Sequence, residues 1–155
     1  MSNSPVSIDR TEAPQTVRLD DQLCFALYAA TNAVTRGYRP MLDQLGITYP
    51  QYLVLLVLWE HPSRAIGEIA EELHMSAATV SPIIDRLELN GLAVRSADPD
   101  DGRRVIVELT DRGTDIEPGA AAAWNEIRCR TMLETDELQR LRRQLLQLVD
   151  RMDVP

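Results

Sequence analysis

Apolar residues recur at spacings of three and four along the first third of the chain, which is the spacing of one face of an α-helix. This pattern predicts a long first helix from Leu19 to Leu45, which Pro40 bends and Gly46 ends. The residues that set the spacing are Leu23, Leu27, Ala30 and Val34. The preceding residues 1–17 are polar and show no periodicity, so we expect a flexible N-terminal arm there.

A second helix is indicated by the residues that start it. Thr48 and, three positions later, Gln51 form the sequence pattern of a capping box, and Pro50 suits a first helical turn. Apolar positions then continue and predict a helix to about Glu60. These positions are Tyr52, Leu55, Leu56 and Trp59.

Two short helices joined by a tight turn are predicted next. The first runs from Ile66 to Leu73, the turn contains His74 and Met75, and the second helix is capped by Ser76 and ended by Gly91. This is the helix-turn-helix pattern, although generic helical hairpins share the same spacing.

The segment after this pair of helices favours a helix-turn-helix over a generic helical hairpin. Runs rich in β-forming residues, Leu92–Ser96 and Arg103–Leu109, flank the turn sequence ADPDDG, which predicts a β-hairpin. A hairpin directly after a helix-turn-helix indicates a winged helix. Thr110 then caps a helix predicted from Asp111 to about Thr131, and a final helix is predicted over Asp136–Met152.

The final helix carries an apolar stripe along one face. Its members are Leu138, Leu141, Leu145, Leu148 and Met152. Such a stripe is unfavourable in water, and pairing with the first helix of a second chain would bury it, which predicts a homodimer. The alternative is that the stripe packs on the winged helix of its own chain.

Together the elements predict a mainly α fold with a small β-wing, in which a winged helix-turn-helix region is combined with N- and C-terminal helices that form a dimerisation region. We place the DNA-binding region at 48–110 and the dimerisation helices at 18–47 and 111–152, all in a single domain over 18–155. The length of 155 residues suits one such domain.

Composition narrows the possible functions. The net charge is −8, and the basic residues, 16 in number, are all arginines, so DNA binding must come from a local patch and not from overall charge. The absence of a long apolar run predicts a cytoplasmic protein without a membrane segment. The two histidines and two distant cysteines lack the spacing of metal ligands, so we expect no metal and no cofactor.

Cys24 and three tyrosines form the most specific chemical pattern. Cys24 and Tyr28 are four positions apart, so their side chains share one face of the first helix. Tyr38 returns to a similar face only ~21 Å further along a straight helix. A contact between Tyr38 and a Cys24 therefore requires a second subunit with an antiparallel first helix, and Tyr49 can reach the same place by that symmetry.

Hydrogen bonds from phenols would favour the charged form of the Cys24 sulfur and increase the fraction of reactive thiolate. The rings would also keep the surroundings apolar, which suits an alkyl or lipid hydroperoxide. The competing interpretation is that Cys24 is an inert core residue, as most free cysteines are, and that the tyrosines cover a dimer seam.

Taken together, these segments resemble a known family. The order of elements over residues 19–152, with Asp101, Gly102 and Arg103 before VIVELTDRG, resembles the MarR family of dimeric bacterial transcription regulators. Within it, LCFALYAATNAVTRGYRPMLDQLGITYPQYLVLLVLWE and SAATVSPIIDRLELNGL resemble the organic hydroperoxide sensors, the OhrR branch. The cysteine and tyrosine spacing and the TYPQY motif are specific to this branch.

The resemblance implies a redox switch. In that branch the cysteine that matches Cys24 is oxidised by organic hydroperoxides, matching tyrosines bind the thiolate across the dimer, and the regulator leaves its operator. Cys129 stands where some members carry a second cysteine that forms a disulfide with the first between subunits. Condensation of a Cys24 sulfenic acid with Cys129 would give that reversible disulfide.

The predicted DNA contacts lie on the second helix of the helix-turn-helix and on the wing. Small residues and hydroxyls near the start of the helix permit close approach to a base pair, and Arg86 can reach a phosphate or a base. At the wing, Arg103 suits a narrow minor groove, with Asp101 orienting its guanidinium, while Arg104 is either structural or a backbone contact. The helix residues are Ala77, Ala78, Thr79 and Ser81.

Three functions are open at this point. The first is a dimeric repressor that senses organic hydroperoxides and binds a pseudo-palindromic double-stranded operator. The second is a repressor of the same fold that is released by a small phenolic ligand without oxidation. The third, a thiol peroxidase, is disfavoured because no cysteine begins a helix beside an arginine.

Overall fold

The computed structural model describes residues 16–152, so most of the N-terminal arm predicted over 1–17 lies outside the described residues. The helices are α1 (Leu23–Leu45), α2 (Tyr49–Glu60), α3 (Ile66–Glu72), α4 (Ala77–Leu89), α5 (Asp111–Asp115), α6 (Glu117–Arg130) and α7 (Thr135–Met152). The strands are β1 (Ser63–Ala65), β2 (Ala93–Ala97) and β3 (Val105–Leu109). The chain divides into two compact units, Met1–Ala33 and Val34–Pro155.

In the first unit, the start of α1 corrects the prediction. A short 3-10 turn at Leu19–Asp21 precedes the helix, and Gln22 is extended with φ −87° and ψ 112°. The α-helix therefore begins at Leu23 and not at Leu19. Apolar side chains of this unit are exposed, with Leu23 at 59% and Phe25 at 41%.

The second unit contains the hydrophobic core. Helices α1, α2, α3 and α4 contribute its largest fully buried side chains, together with Leu92 before β2 and Val107 of β3. Examples are Leu55, Leu58, Ile69, Ile84, Leu87, Leu92 and Val107. The helix-turn-helix is thus fixed to α2 on one side and to the sheet on the other.

The sheet has three antiparallel strands in the order β1-β3-β2. The predicted hairpin is β2-β3, with Arg95 opposite Val107. Strand β1 was not predicted; it pairs Arg64 with Val107 on the other side of β3. Three residues are too few to show the alternation by which a strand is recognised in sequence.

The predicted helix starts are confirmed by side-chain caps. The Thr48 hydroxyl accepts from the Gln51 amide at 3.4 Å, and the Gln51 side chain accepts from the Thr48 amide at 2.8 Å. The Ser76 hydroxyl accepts from the Thr79 amide at 3.1 Å. Thr110 caps α5 in the same way through Gly113 at 3.1 Å.

The single helix predicted from Asp111 to about Thr131 is wrong, because the structure breaks it at Ile116. Ile116 has φ −86° and ψ −8° and separates α5 from α6. Pro118 follows in the first turn of α6, where its missing N–H costs nothing. In a continuous helix the same proline would leave the carbonyl of Thr114 without a partner.

None of the residues of α7 is buried. Leu141 is 44% exposed, Leu145 is 39% exposed and Met152 is 75% exposed. The apolar stripe predicted on the last helix is therefore open to solvent in the single chain.

Candidate functional site

Cys24 lies in the first turn of α1, in the first unit, as an exposed free thiol, so the expectation that no cysteine begins a helix is wrong. Its sulfur is 3.9 Å from the side-chain oxygen of Gln22, a weak contact. Tyr28, one turn further along α1, is 66% exposed. Both side chains are thus accessible to a second molecule.

Three tyrosines and a tryptophan form a contiguous aromatic cluster in the second unit. The centroid of the Tyr38 ring lies 5.4 Å from the ring centroid of Tyr49 and 5.3 Å from that of Tyr52. Tyr49 and Tyr52 are 5.9 Å apart, and Tyr52 lies 6.3 Å from Trp59. Tyr38 and Tyr52 are buried, and Tyr49 is half-buried.

The cluster keeps its phenols protonated. Burial raises the pKa of Tyr38 well above its ordinary value, and the neighbouring Tyr52 and Tyr49 raise it further. Burial also raises the pKa values of Tyr49 and Tyr52. These groups are hydrogen-bond donors over the whole physiological range, as a role in supporting a thiolate requires.

The sequence predicted Tyr52 only as an apolar position of the second helix, and its place in the aromatic cluster was not predicted. A hydrogen bond joins the side chains of Tyr38 and Tyr52. The signal was present in the spacing, because Tyr49 and Tyr52 are three positions apart at the start of α2 and so share a face.

Cys129 is an exposed free thiol near the end of α6. Its neighbour Arg128 lies over the ring of Trp124, with the guanidinium carbon 5.3 Å from the ring centroid. Ile127 packs so closely on Gly37 of α1 that a Cβ at Gly37 would come within 2.8 Å of its side chain. The C-terminal end of α6 is thereby fixed against the second half of α1.

The first turn of α4 presents an exposed, small-residue surface. Ala77, Ala78 and Thr79 are exposed. The hydroxyls of Thr79 and Ser76 are 2.8 Å apart, so one of them donates to the other. Ser81 is half-buried, and its hydroxyl accepts from Arg95 at 3.1 Å, which leaves its own proton for another acceptor.

The arginines between Ser63 and Gly113 divide into paired and unpaired groups. Arg64 pairs with Glu72, Arg95 with Asp85 and Glu88, and Arg104 with Glu68 and Asp98, while Arg112 donates to the carbonyl of Asn90. Within this described stretch, the guanidinium groups of Arg86 and Arg103 have no partner, and both residues are exposed. These two are the arginines available to an anionic ligand.

At the wing, Asp101 and Arg104 have structural contacts. The Asp101 carboxylate accepts from the backbone amide of Arg103 at 3.1 Å, so it shapes the loop and leaves the Arg103 guanidinium unpaired. Arg104 donates to Glu68 of α3 at 2.8 Å. The pKa of Glu68 is lowered because it accepts from the Ala65 amide and from Arg104.

A cavity of about 500 Å³ adjoins the aromatic cluster. Its apolar wall includes Tyr52, Trp59 and Trp124, and Arg142 of α7 contributes a positive charge. Glu60 and Glu117 also line it, so its carboxylates outnumber its one arginine. The aromatic wall suits a small phenolic ligand, and the two carboxylates disfavour an anion.

Residues 16–152 provide neither a metal site nor a single membrane-spanning helix. In this range no three His, Cys, Asp or Glu side chains are grouped so that they could hold a metal ion. None of its single helices is long and apolar enough to cross a membrane, and α1 and α2 meet that test only as a bent pair.

Comparisons with known proteins show a family and a regulator that this chain is similar to. A model of the MarR family matches residues 47–105. The organic hydroperoxide resistance transcriptional regulator of Bacillus subtilis (strain 168) is 36% identical over 134 residues, covering 86% of this chain and 91% of the relative.

Solved structures match over most of the chain. Reduced AbfR bound to DNA has a TM-score of 0.72 and 34% identity, covering 86% of this chain and 94% of that chain. The structure of disulfide-formed AbfR has a TM-score of 0.63 and 33% identity, and the match covers 86% of this chain and 91% of that chain. AbfR is a protein of Staphylococcus epidermidis. These matches confirm the predicted winged helix-turn-helix fold.

Proposed function

This chain belongs to the MarR family and is a DNA-binding transcriptional regulator, and from that premise we propose that it is a homodimeric repressor released from its operator by organic hydroperoxides. Membership rests on the Bacillus subtilis relative, of which the chain covers 91%. The resemblance predicted from the sequence is therefore confirmed. The expectation that the chain is a regulator and not an enzyme is also confirmed, because the relatives are transcriptional regulators.

The observation that carries the redox proposal is the group of protonated phenols at Tyr38, Tyr49 and Tyr52, of which Tyr38 and Tyr52 are buried and Tyr49 is half-buried. Tyr38 and Tyr52 are joined by one hydrogen bond, which uses one phenol proton of the pair and leaves the other for a further acceptor. A thiolate from a partner subunit would accept from them. Cys24 supplies that sulfur, since it is exposed and free in the single chain.

The proposed chemistry is a two-electron oxidation of Cys24. The thiolate attacks the terminal oxygen of the hydroperoxide, a sulfur–oxygen bond forms, the oxygen–oxygen bond breaks, and the alkoxide takes a proton to leave as an alcohol. The thiol of Cys129 from the partner subunit then attacks the sulfenic sulfur, and water leaves. The resulting disulfide is reversible by thiols and protects Cys24 from further oxidation.

Support for the dimer comes from apolar surface that the single chain leaves uncovered. Helix α7 buries none of its residues, and Leu23, Phe25 and Tyr28 are exposed on α1. Two chains related by a two-fold axis would bury both faces and would bring each Cys24 to the phenols of the other chain. The same axis would pair two winged helices on a pseudo-palindromic operator.

For DNA binding we propose that α4 enters the major groove and the wing follows the backbone into the minor groove. Arg86 and Arg103 are the proposed charged contacts, because the other arginines between Ser63 and Gly113 are already paired within the chain. Ala77, Ala78 and Thr79 would lie next to the base edges. Ser81, Asp101 and Arg104 would act mainly by shaping these elements.

The decisive experiment compares the reduced wild type with Cys24→Ser and Cys129→Ser. Each protein is bound to a duplex selected by the wild type from a random-sequence pool, and one equivalent of cumene hydroperoxide is added. We expect release of the wild type with an intersubunit link between positions 24 and 129 in mass spectra, and no release of Cys24→Ser. Release of Cys24→Ser at the wild-type rate would refute the redox proposal.

A second candidate is release by a small phenolic ligand, which the aromatic wall of the cavity at Tyr52, Trp59 and Trp124 favours. In that case the ligand would shift the population of the DNA-binding conformation without any change at sulfur. Phenol would then release Cys24→Ser as readily as the wild type, and substitution of Trp124 by Ala would weaken the effect.

A further inference from the structure

Arg95 of β2 makes the densest set of polar contacts in the winged helix. Its guanidinium pairs with the carboxylates of Asp85 and Glu88. A second guanidinium nitrogen donates to the Ser81 carbonyl at 2.8 Å and to the Ser81 hydroxyl at 3.1 Å. The backbone amide of Arg95 also donates to Glu88, at 2.8 Å. One side chain thus joins the wing to α4 at three positions.

The three partners of Arg95 form one stripe on α4. Ser81, Asp85 and Glu88 are separated by four and three positions, which places them on one helical face. The stripe spans ~10 Å of helix axis at 1.5 Å per residue. The planar guanidinium fork can satisfy several acceptors at once in fixed directions, which a lysine ammonium cannot do.

The position of the stripe matters because α4 contains a proline. Pro82 has no amide hydrogen, so the carbonyl of Ala78 loses its helical partner and the helix can bend there. The contact of Arg95 with Ser81 lies directly beside that weak point. Arg95 therefore supports α4 where its own backbone bonding is interrupted, between the exposed first turn and the buried remainder.

The charge of Arg95 is not available to DNA. Two carboxylates neutralise it, and its side chain is only 21% exposed. Burial acts to lower the pKa of Arg95, but the hydrogen bonds with Asp85 and Glu88 raise it above its ordinary value. By contrast, Arg103 on the same hairpin is exposed and unpaired in the described chain.

We propose that Arg95 is a positioning residue for operator recognition: it sets the angle between α4 and the wing, so that both reach one half-site together. This inference rests on the operator binding proposed above and assigns Arg95 no contact with DNA. Loss of the side chain would free the wing and the first turn of α4 to move independently. Specific binding needs both elements at once, whereas non-specific attraction to phosphates does not.

The test measures binding of Arg95→Gln, with Arg103→Gln as the matched control on the same hairpin. Both variants are titrated over a salt series with the selected duplex and with a scrambled duplex. For Arg95→Gln we expect about a tenfold loss of affinity for the selected duplex, no loss for the scrambled duplex, and an unchanged salt slope. For Arg103→Gln we expect weaker binding to both the selected and the scrambled duplex, and a salt slope that is smaller by about 0.9.

A second measurement does not require DNA. Hydrogen exchange of the wing amides in the free protein should be faster in Arg95→Gln than in the wild type, because the hairpin has lost its attachment to α4. Glu88→Gln should show a similar effect, and the double variant should show little more, since the two residues form one unit.

Two outcomes would overturn the assignment. A smaller salt slope for Arg95→Gln, equal to that of Arg103→Gln, would make Arg95 a phosphate contact. Unchanged wing exchange would mean that Arg95 does not hold the hairpin. If the wild type selects no duplex at all, the proposed operator binding fails, and the exchange measurement still decides whether Arg95 joins the wing to α4.

Discussion

The rings of Tyr38 in α1 and Tyr52 in α2 lie with their centroids 5.3 Å apart, and both side chains are buried. A hydrogen bond joins the two phenols, and the ring of Tyr49 lies 5.4 Å from that of Tyr38. The proposed sensor site therefore consists of a preformed group of donors in one chain that is completed by the sulfur of another.

Substitution of Tyr38 by Phe tests this arrangement directly. Removing one donor to a thiolate costs on the order of 1.5 kcal/mol, so we expect oxidation of Cys24 by cumene hydroperoxide to slow about tenfold. Operator affinity of the reduced protein should not change. The rate is measured by trapping the sulfenic acid with dimedone in stopped samples of a Cys129→Ser background.

Tyr52→Phe is the control for Tyr38→Phe. It removes a buried phenol from the same cluster but, in the proposed site, leaves Tyr38 free to donate to the sulfur. We expect a smaller decrease in the oxidation rate than with Tyr38→Phe. Equal rates for both variants and the wild type would mean that the phenols serve packing alone.

The raised pKa of Tyr38 predicts a loss of stability in alkali. In the unfolded chain a tyrosine loses its proton near pH 10.0, whereas folded Tyr38 keeps it to a higher pH. The contribution of Tyr38 to the unfolding free energy should therefore be level below pH 10.0 and should fall as the pH rises above it. Urea unfolding at a series of pH values, with tyrosinate absorbance recorded in parallel, measures both quantities.

The control for the alkaline series is Tyr28→Phe, because Tyr28 is 66% exposed and lies outside the cluster. That variant should show the same decrease in unfolding free energy as the wild type. The decrease should be smaller in Tyr38→Phe. If the unfolding free energy of Tyr38→Phe decreases with pH as steeply as that of the wild type, the loss of stability in alkali comes from groups other than Tyr38.

Gly113 predicts a steric limit at the junction of the wing and α5. A Cβ at this position would come within 2.1 Å of the Leu92 carbonyl, which also accepts from the Thr110 amide. We expect Gly113→Ala to lower the unfolding free energy by about 2 kcal/mol or more, because backbone must move to make room. Gly102→Ala in the wing loop, where nothing lies within 4 Å, is the control and should have little effect.

The exposed face of α7 predicts that the subunits separate when a charge is placed on it. Leu145→Glu should shift the protein from dimer to monomer in sedimentation velocity and lower operator affinity more than tenfold, because the two half-site contacts are no longer linked. Arg143→Glu changes a residue about 200° around the same helix and should stay dimeric. If α7 packs only on its own chain, Leu145→Glu would instead lower the stability of a protein whose subunit number is unchanged.

Features that depend on neighbours three or four positions away were predictable from the sequence. The caps at Thr48, Ser76 and Thr110 were correct because a hydroxyl and its backbone partner lie within one helical turn. The glycines that end α1 and α4 were correct for a similar reason, since Gly46 and Gly91 adopt φ of +71° and +69°. Strand β1, the break at Ile116 and the extended Gln22 escaped prediction, because each is a local interruption that leaves the hydrophobic pattern intact.

The sequence by itself determined the chemistry that is available: one cysteine in α1, a second in α6, tyrosines at set spacings and arginines on a wing without excess positive charge. Only the tertiary structure decided which of these groups are free to act. It gathered Tyr38, Tyr49 and Tyr52 into one buried cluster, and it paired Arg95 and Arg104 while leaving Arg86 and Arg103 unpaired. The physical reason is that an ion pair or ring contact between distant segments depends on where the packed helices and strands place the two side chains, and spacing along the chain does not encode that distance.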